Sequence, residues 1–194
     1  MTLMTSHSTC KLQKMNEINK RAFKERIAGS RAVLLCGVSG SGKTYLARQL
    51  EREGYRRIST DQYVCEKYGA DFASLPFSRQ HELFMDAGAA MERLLEEELR
   101  AGGKVVLDAP LCKRAGRERM RQACRRAGVE PLLVHMDTPA EEITKRMALR
   151  QGCGPDDQQV PPERLRSFLA NFEPPQPDEN ALPYHPTFGE LCKL

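Results

Sequence analysis

Two regimes of apolar patterning alternate along the chain. Short unbroken apolar runs are followed by longer stretches in which apolar residues recur every three to four positions. The runs "RAVLLCG" (31–37), "KVVLD" (104–108) and "PLLVHMD" (131–137) predict strands buried on both faces, and the shorter "YRRIS" (55–59) predicts a fourth. Between them the helical period predicts helices from Lys43 to Glu53, from 80 to 101 and from 114 to 127, stopped by Gly54, Gly102 and Gly128. Leu83, Phe84, Ala87, Met91, Leu94, Leu95 and Leu99 give the second of these one apolar face, with His81 standing alone ahead of it as a structural or capping residue.

After the strand at 131–137, "TPAEEITKRMALR" carries a full helix-start signal, with Thr138 as cap, Pro139 at the first helical position and Glu141 three residues past the cap. Asp137 reads as part of that entry. Ahead of the first strand, Met15, Ile18, Ala22, Phe23 and Ile27 predict a short amphipathic helix ended by Gly29 and Ser30, and residues 1–14 read as a polar, poorly ordered segment. Beyond Gly152, eight of the 12 prolines fall between Pro155 and Pro186, so the tail is expected to be extended apart from one helix at about 161–171.

Strands alternating with helices predict an α/β fold, a three-layer α/β/α sandwich around a mostly parallel sheet. Ligands of such sheets collect at the carboxyl ends of the strands. Those ends are Gly37, Ser59 to Asp61, Asp108 and Asp137.

Composition narrows the class. With 194 residues, 40% hydrophobic and 29% charged, the chain suits one domain with a proper core. A net charge of +4 permits a phosphate-bearing partner without announcing a nucleic-acid binder. Seven cysteines with no CxxC pair fit neither a disulfide framework nor a zinc site, and point to reduced thiols in a cytoplasmic protein. No apolar run approaches the roughly 18 residues that span a bilayer. Nothing in the sequence selects an oligomeric state.

The chemistry is concentrated in "GVSGSGKT", residues 37–44, between a predicted buried strand and a predicted helix. Gly37, Gly42, Lys43 and Thr44 satisfy GxxxxGK[ST] in the setting that gives this motif its meaning. Glycines at 37, 40 and 42 admit positive φ and let the amides of Val38, Ser39, Gly40 and Ser41 converge on phosphate oxygens. Lys43 is expected to reach the β and γ phosphates and the Thr44 hydroxyl to ligate Mg2+. The guanine-specifying NKxD pattern is absent after "LLVHMD", which favours ATP.

In order and spacing, "GVSGSGKT", "RISTDQY", "VVLDAP", "HMDTPAEEITKRMALR" and "FLANFEPPQPDE" resemble the small P-loop kinases of the polynucleotide kinase, zeta-toxin and chloramphenicol phosphotransferase type, an AAA-like ATP-binding kinase family. The resemblance runs from about Arg31 to Glu179 and implies a nucleoside-kinase-like P-loop NTPase fold. It divides the chain into an N-terminal segment (1–30), a kinase domain (31–180) with a lid at about 139–160, and a C-terminal tail (181–194). It implies that Asp61 accepts the proton of the acceptor hydroxyl and that Asp108 holds Mg2+ or orients substrate, and the two roles can exchange. It also implies a lid role for Arg146 and Arg150, which lie four apart and so on one helix face, neutralising charge as the phosphoryl group moves.

The expected activity is transfer of the γ-phosphate of Mg-ATP to a hydroxyl. The resemblance puts the acceptor site in "VCEKYGADFASLPFSR" (64–79), where Tyr68, Phe72 and Phe77 beside Lys67 and Arg79 either stack a base and bind its phosphate or pack a loop onto the domain, the packing reading being favoured; Arg79 is the candidate for an acceptor's charged group. Polynucleotide kinases of this group carry an arginine three residues after the base and a second aspartate directly after it; here those positions are Val64 and Gln62. A small hydroxylated acceptor is therefore favoured over a nucleic-acid 5'-hydroxyl, and an ATPase without acceptor is the further alternative. Seven basic residues between Lys113 and Arg126, spread round their helix, read as a solvated face.

Overall fold

The computed structural model describes residues 21–69 and 76–185, except the side chain of Phe77. Helix α1 covers 21–28, and the portion of its expected length before 21 lies outside the described residues, as do the segments 70–75 and 186–194. The chain then runs β1 (Ala32–Cys36), α2 (Lys43–Arg52), β2 (Arg56–Ser59), α3 (Thr60–Tyr68), α4 (Phe77–Arg100), β3 (Val105–Asp108), α5 (Arg114–Arg126), β4 (Leu132–Met136), α6 (Ala140–Ala148), α7 (Pro162–Ala170) and β5 (Leu182–Tyr184), with 3₁₀ turns at Pro155–Asp157 and Pro177–Glu179.

All strand pairs are parallel, in the order β2-β3-β1-β4-β5. Side chains alternate across the sheet and so build two cores. Ala32, Leu34, Cys36, Val105, Leu107 and Leu133 pack under Met91, Leu95 and Leu99 of α4 and Met120 and Cys124 of α5. Val33, Leu35, Val106, Leu132 and Val134 pack under Ile27 of α1 and Leu46, Ala47 and Leu50 of α2. The three layers follow directly. Each fully buried leucine contributes about 1.5–3 kcal/mol, which fixes β1 at the centre and hence the loop that leaves it.

Four features depart from the sequence expectations. Residues 60–68 form a helix, capped by Ser59, whose Oγ accepts from the Gln62 amide at 3.3 Å. Only Thr60 and Val64 of α3 are buried, so no apolar stripe announces it. Residues 182–184, placed by sequence in a tail beyond 180, are an edge strand: Val134 pairs with Leu182 and Met136 with Tyr184. Three residues centred on Pro183 give no strand signal, and proline is tolerated there because the strand is at the edge.

The cap assigned to Thr138 is not made; Pro139 is the N-cap residue of α6, without a side-chain cap. Asp137 faces His185 at 3.5 Å. Nor is the face of α5 wholly solvated. Arg117 is fully buried and forks onto Glu179 at 2.6 and 2.8 Å, and buried Arg121 donates to the Glu179 carbonyl at 2.7 Å. Arginine at these positions fastens the segment before β5 to α5, a task that spacing alone does not reveal.

The cysteines at 36, 65, 112, 124 and 153 are free thiols. Among the described residues no helix is long and apolar enough to cross a membrane.

Candidate active site

The loop between β1 and α2 has φ of +155° at Gly37, +83° at Gly40 and +97° at Gly42. Gly42 is the N-cap residue of α2 and provides no side-chain cap, so the first amides of that helix point out of it unsatisfied by their own cap. At Gly40 the need for glycine is also steric: a Cβ would stand 2.9 Å from Cγ and Sδ of Met147, on the face of α6 that covers the loop. Val38 joins the same contact, packing with Ile143, Met147 and Leu165.

Lys43 is buried at the base of the loop, where Nζ donates to the carbonyls of Gly37 (2.8 Å) and Val38 (2.9 Å). Beside it the Ser41 hydroxyl is buried with no partner among the described residues. A buried hydroxyl left unmatched in a cradle that glycine keeps open is the mark of a place that takes a polar ligand. Thr44 is the second residue of α2, half-buried at its amino end.

The carboxylates come from neighbouring strand ends. Asp108 closes β3, 6% exposed, and its Oδ2 accepts from Arg57 Nε (3.1 Å) and NH2 (2.7 Å). Asp61 lies in the first turn of α3. Loss of solvent, with help from Asp108 and Asp156, pushes its carboxyl up to about 6 against the opposing pull of Lys43 and Arg150. These five groups therefore share one electrostatic neighbourhood at the mouth of the loop.

Helix α6 and the residues before it cover the loop. Thr138 donates through Oγ1 to the Ser41 carbonyl at 2.9 Å, and Arg146 donates to Glu142 at 3.1 Å and to the Gly40 carbonyl at 3.4 Å. Arg150 does not continue the face of Arg146, because α6 ends at Ala148 in a tightened turn; its NH1 instead donates to the Gln158 carbonyl at 3.1 Å. Arg79 pairs with Glu82 at 2.6 Å on the exposed first turn of α4, and among the described residues it shows no contact with the loop.

Sequence reading missed Arg48, Arg57 and Asp156, which meet beside Asp108. A signal existed for one of them. Arg57 stands next to the buried end of β2, Ile58 and Ser59, where an unpaired charge is too costly to tolerate.

A parallel sheet in this order, a glycine-rich loop leading into α2 and carboxylates on the adjacent strand ends define a small P-loop kinase. The sequence pattern of the AAA domain family matches residues 33–175, and the chain belongs to that family. Among solved structures, a sugar kinase from Janibacter sp. HTCC2649 is 26% identical, with a TM-score of 0.62 over 80% of this chain and 85% of that one. A gluconokinase from Sinorhizobium meliloti 1021 is 20% identical, with a TM-score of 0.55 over 79% of this chain and 81% of that one, a likeness of fold. A comparison with curated proteins gives no match. Fold and family support a nucleotide-binding enzyme of the phosphotransferase class.

Proposed function

We propose that the protein transfers the γ-phosphate of Mg-ATP to a hydroxyl of a small molecule, with Asp61 as the general base. The observation that carries this reading is the placement of the Asp61 carboxyl, at the exit of β2, in the same neighbourhood as Lys43 and Asp108, with its proton affinity raised to about 6. A base poised near neutrality suits removal of a hydroxyl proton.

The geometry supports a part for each group. The amides of Gly37 to Thr44 receive the phosphates, and Lys43 exchanges two loop carbonyls for phosphate oxygens. Thr44 and Asp108 offer hard oxygen donors suited to Mg2+, which is commonly held by one or two carboxylates completed by phosphate and water. Among the described residues no cluster of three or more His, Cys, Asp or Glu competes as a metal cage. Bound there, Mg-ATP supplies the phosphoryl group and the cation that offsets its charge. Arg146 and Arg150 bring further positive charge with the lid, whose closure excludes water as a rival acceptor.

The acceptor reading rests on the cleft between α3 and the lid. It encloses about 830 Å³ and is lined by Cys65, Met147, Arg150 and Gln158, among others. Cys65 lies one helical turn beyond Asp61 and so on the same face. The Gln158 side-chain amide is buried there without a partner among the described residues. A cavity of that size with two donor groups suits a small oxygen-rich molecule; the sugar kinase and gluconokinase among its structural relatives point the same way.

Incubation with γ-labelled ATP, pooled hydroxylated metabolites and 5'-hydroxyl oligonucleotides tests the proposal. Label in a small molecule is the expected result. Label in oligonucleotide would replace the acceptor class, and phosphate release at one rate whatever the acceptor would make the protein an ATPase.

A further inference from the structure

The side chain of Arg57 is only 6% exposed, yet it serves two carboxylates from different parts of the chain. Nε and NH2 hold Oδ2 of Asp108; NH1 and NH2 hold Asp156 of the lid at 3.1 and 2.5 Å. Arg48 of α2 also donates to the Oδ2 of Asp156, at 2.7 Å. Arg57 with Asp108 alone is neutral. Asp156 adds a second negative charge, and Arg48 answers it.

Only one of the two acids in the 3₁₀ turn Pro155–Asp157 plays this part. Asp157 turns back on the lid and accepts from the amides of Gln151 and Cys153, each at 3.1 Å. Asp156 turns toward the sheet. Both bonds from Arg57 to Asp108 fall on Oδ2, so the arginine does not use Oδ1.

We propose that Arg57 is a positioning residue for Asp108, and that Asp156 makes this positioning depend on closure of the lid. With the lid open, Arg57 keeps Asp108 alone, and a guanidinium fork facing a single carboxylate is built to take both of its oxygens. With the lid closed, Asp156 takes the NH1–NH2 edge of the guanidinium and pins it where its Nε–NH2 edge meets Oδ2 of Asp108 alone, which leaves Oδ1 free to help hold Mg2+. Partners that orient a metal-holding carboxylate commonly matter almost as much as the carboxylate itself. The inference rests on the proposed function for the role of Asp108.

Two readouts that need no turnover test it. Mg2+ is titrated into protein saturated with the non-hydrolysable analogue AMP-PNP, and amide exchange of residues 150–160 is followed in nucleotide-free protein. Asp156→Asn, an isosteric change on a partly exposed side chain, is expected to raise the Mg2+ midpoint roughly 10- to 100-fold and to speed exchange in the lid. Arg57→Lys keeps the charge without the fork and is expected to raise the midpoint similarly; Arg48→Ala should have a smaller effect. A lid in Asp156→Asn that exchanges as in the parent overturns the proposal, and so does an unchanged Mg2+ midpoint. Failure of the parent to phosphorylate any acceptor would sink the proposed activity and leave both readouts deciding this inference.

Discussion

At the scale of single residues, the base role proposed for Asp61 sets chemistry against stability. Its carboxyl is raised from an ordinary 3.8 to about 6, so the folded protein holds this proton more tightly than the unfolded chain does. The contribution of this group to stability is complete below 3.8 and is lost as the pH rises through about 6. Asp61→Asn is therefore expected to melt higher than the parent at pH 8, with the advantage shrinking to nothing near pH 4, as thermal unfolding at the two pH values will show. The same substitution should eliminate phosphoryl transfer while leaving nucleotide affinity nearly intact. In the parent, the transfer rate should fall about tenfold per pH unit below about 6.

Residues of this kind were partly legible in the chain. Lys43 and Thr44 follow from a motif whose spacing is its mechanism. Asp61 and Asp108 follow from strand ends together with the family resemblance. Arg57 and Asp156 are 99 residues apart, and no local pattern links them. Arg79 was chosen as a cation in the segment where the resembling kinases bind their acceptor, and it spends its charge on a neighbour one helical turn away.

At the scale of elements, the loop and α6 are one packed unit. Gly40→Ala would force a Cβ to within 2.9 Å of Met147 at a φ of +83°, so both the loop and α6 must give way. Nucleotide affinity, measured by calorimetry, is expected to drop at least tenfold while the far-UV spectrum is unchanged. A second joint ties α5 to the segment before β5. Arg117→Ala leaves Glu179 buried without its cation and is expected to cost about 3–5 kcal/mol, a fall in Tm on the order of 10 °C for a chain of this size.

The central strands and the helices around them were legible because their burial is written as uninterrupted or periodic apolar residues. Helix α3 and β5 were not. One buries two residues and the other has three, and each owes its existence to the neighbour it docks on.

At the scale of the whole molecule, the net charge of +4 overstates the attraction for polyanions. On α5, Arg119 and Arg126 pair with Glu92, Arg126 also with Glu96, Arg125 with Glu130 and Arg114 with Asp178. Together with buried Arg117 and Arg121, these pairs leave little unmatched charge on that helix to face a phosphate backbone. Binding to a single-stranded oligonucleotide is expected to be weak, with a shallow dependence on salt; a steep loss of affinity between 50 and 200 mM salt would show a nucleic-acid surface after all.

The most direct measurement of the central claim is a crystal structure of the protein with Mg2+ and AMP-PNP. The expected result is a triphosphate wrapped by residues 37–44, with Lys43 withdrawn from the Gly37 and Val38 carbonyls onto its oxygens and the Asp61 carboxyl directed at the γ-phosphate. A nucleotide bound elsewhere, or an Asp61 side chain turned away from that phosphate, would contradict it.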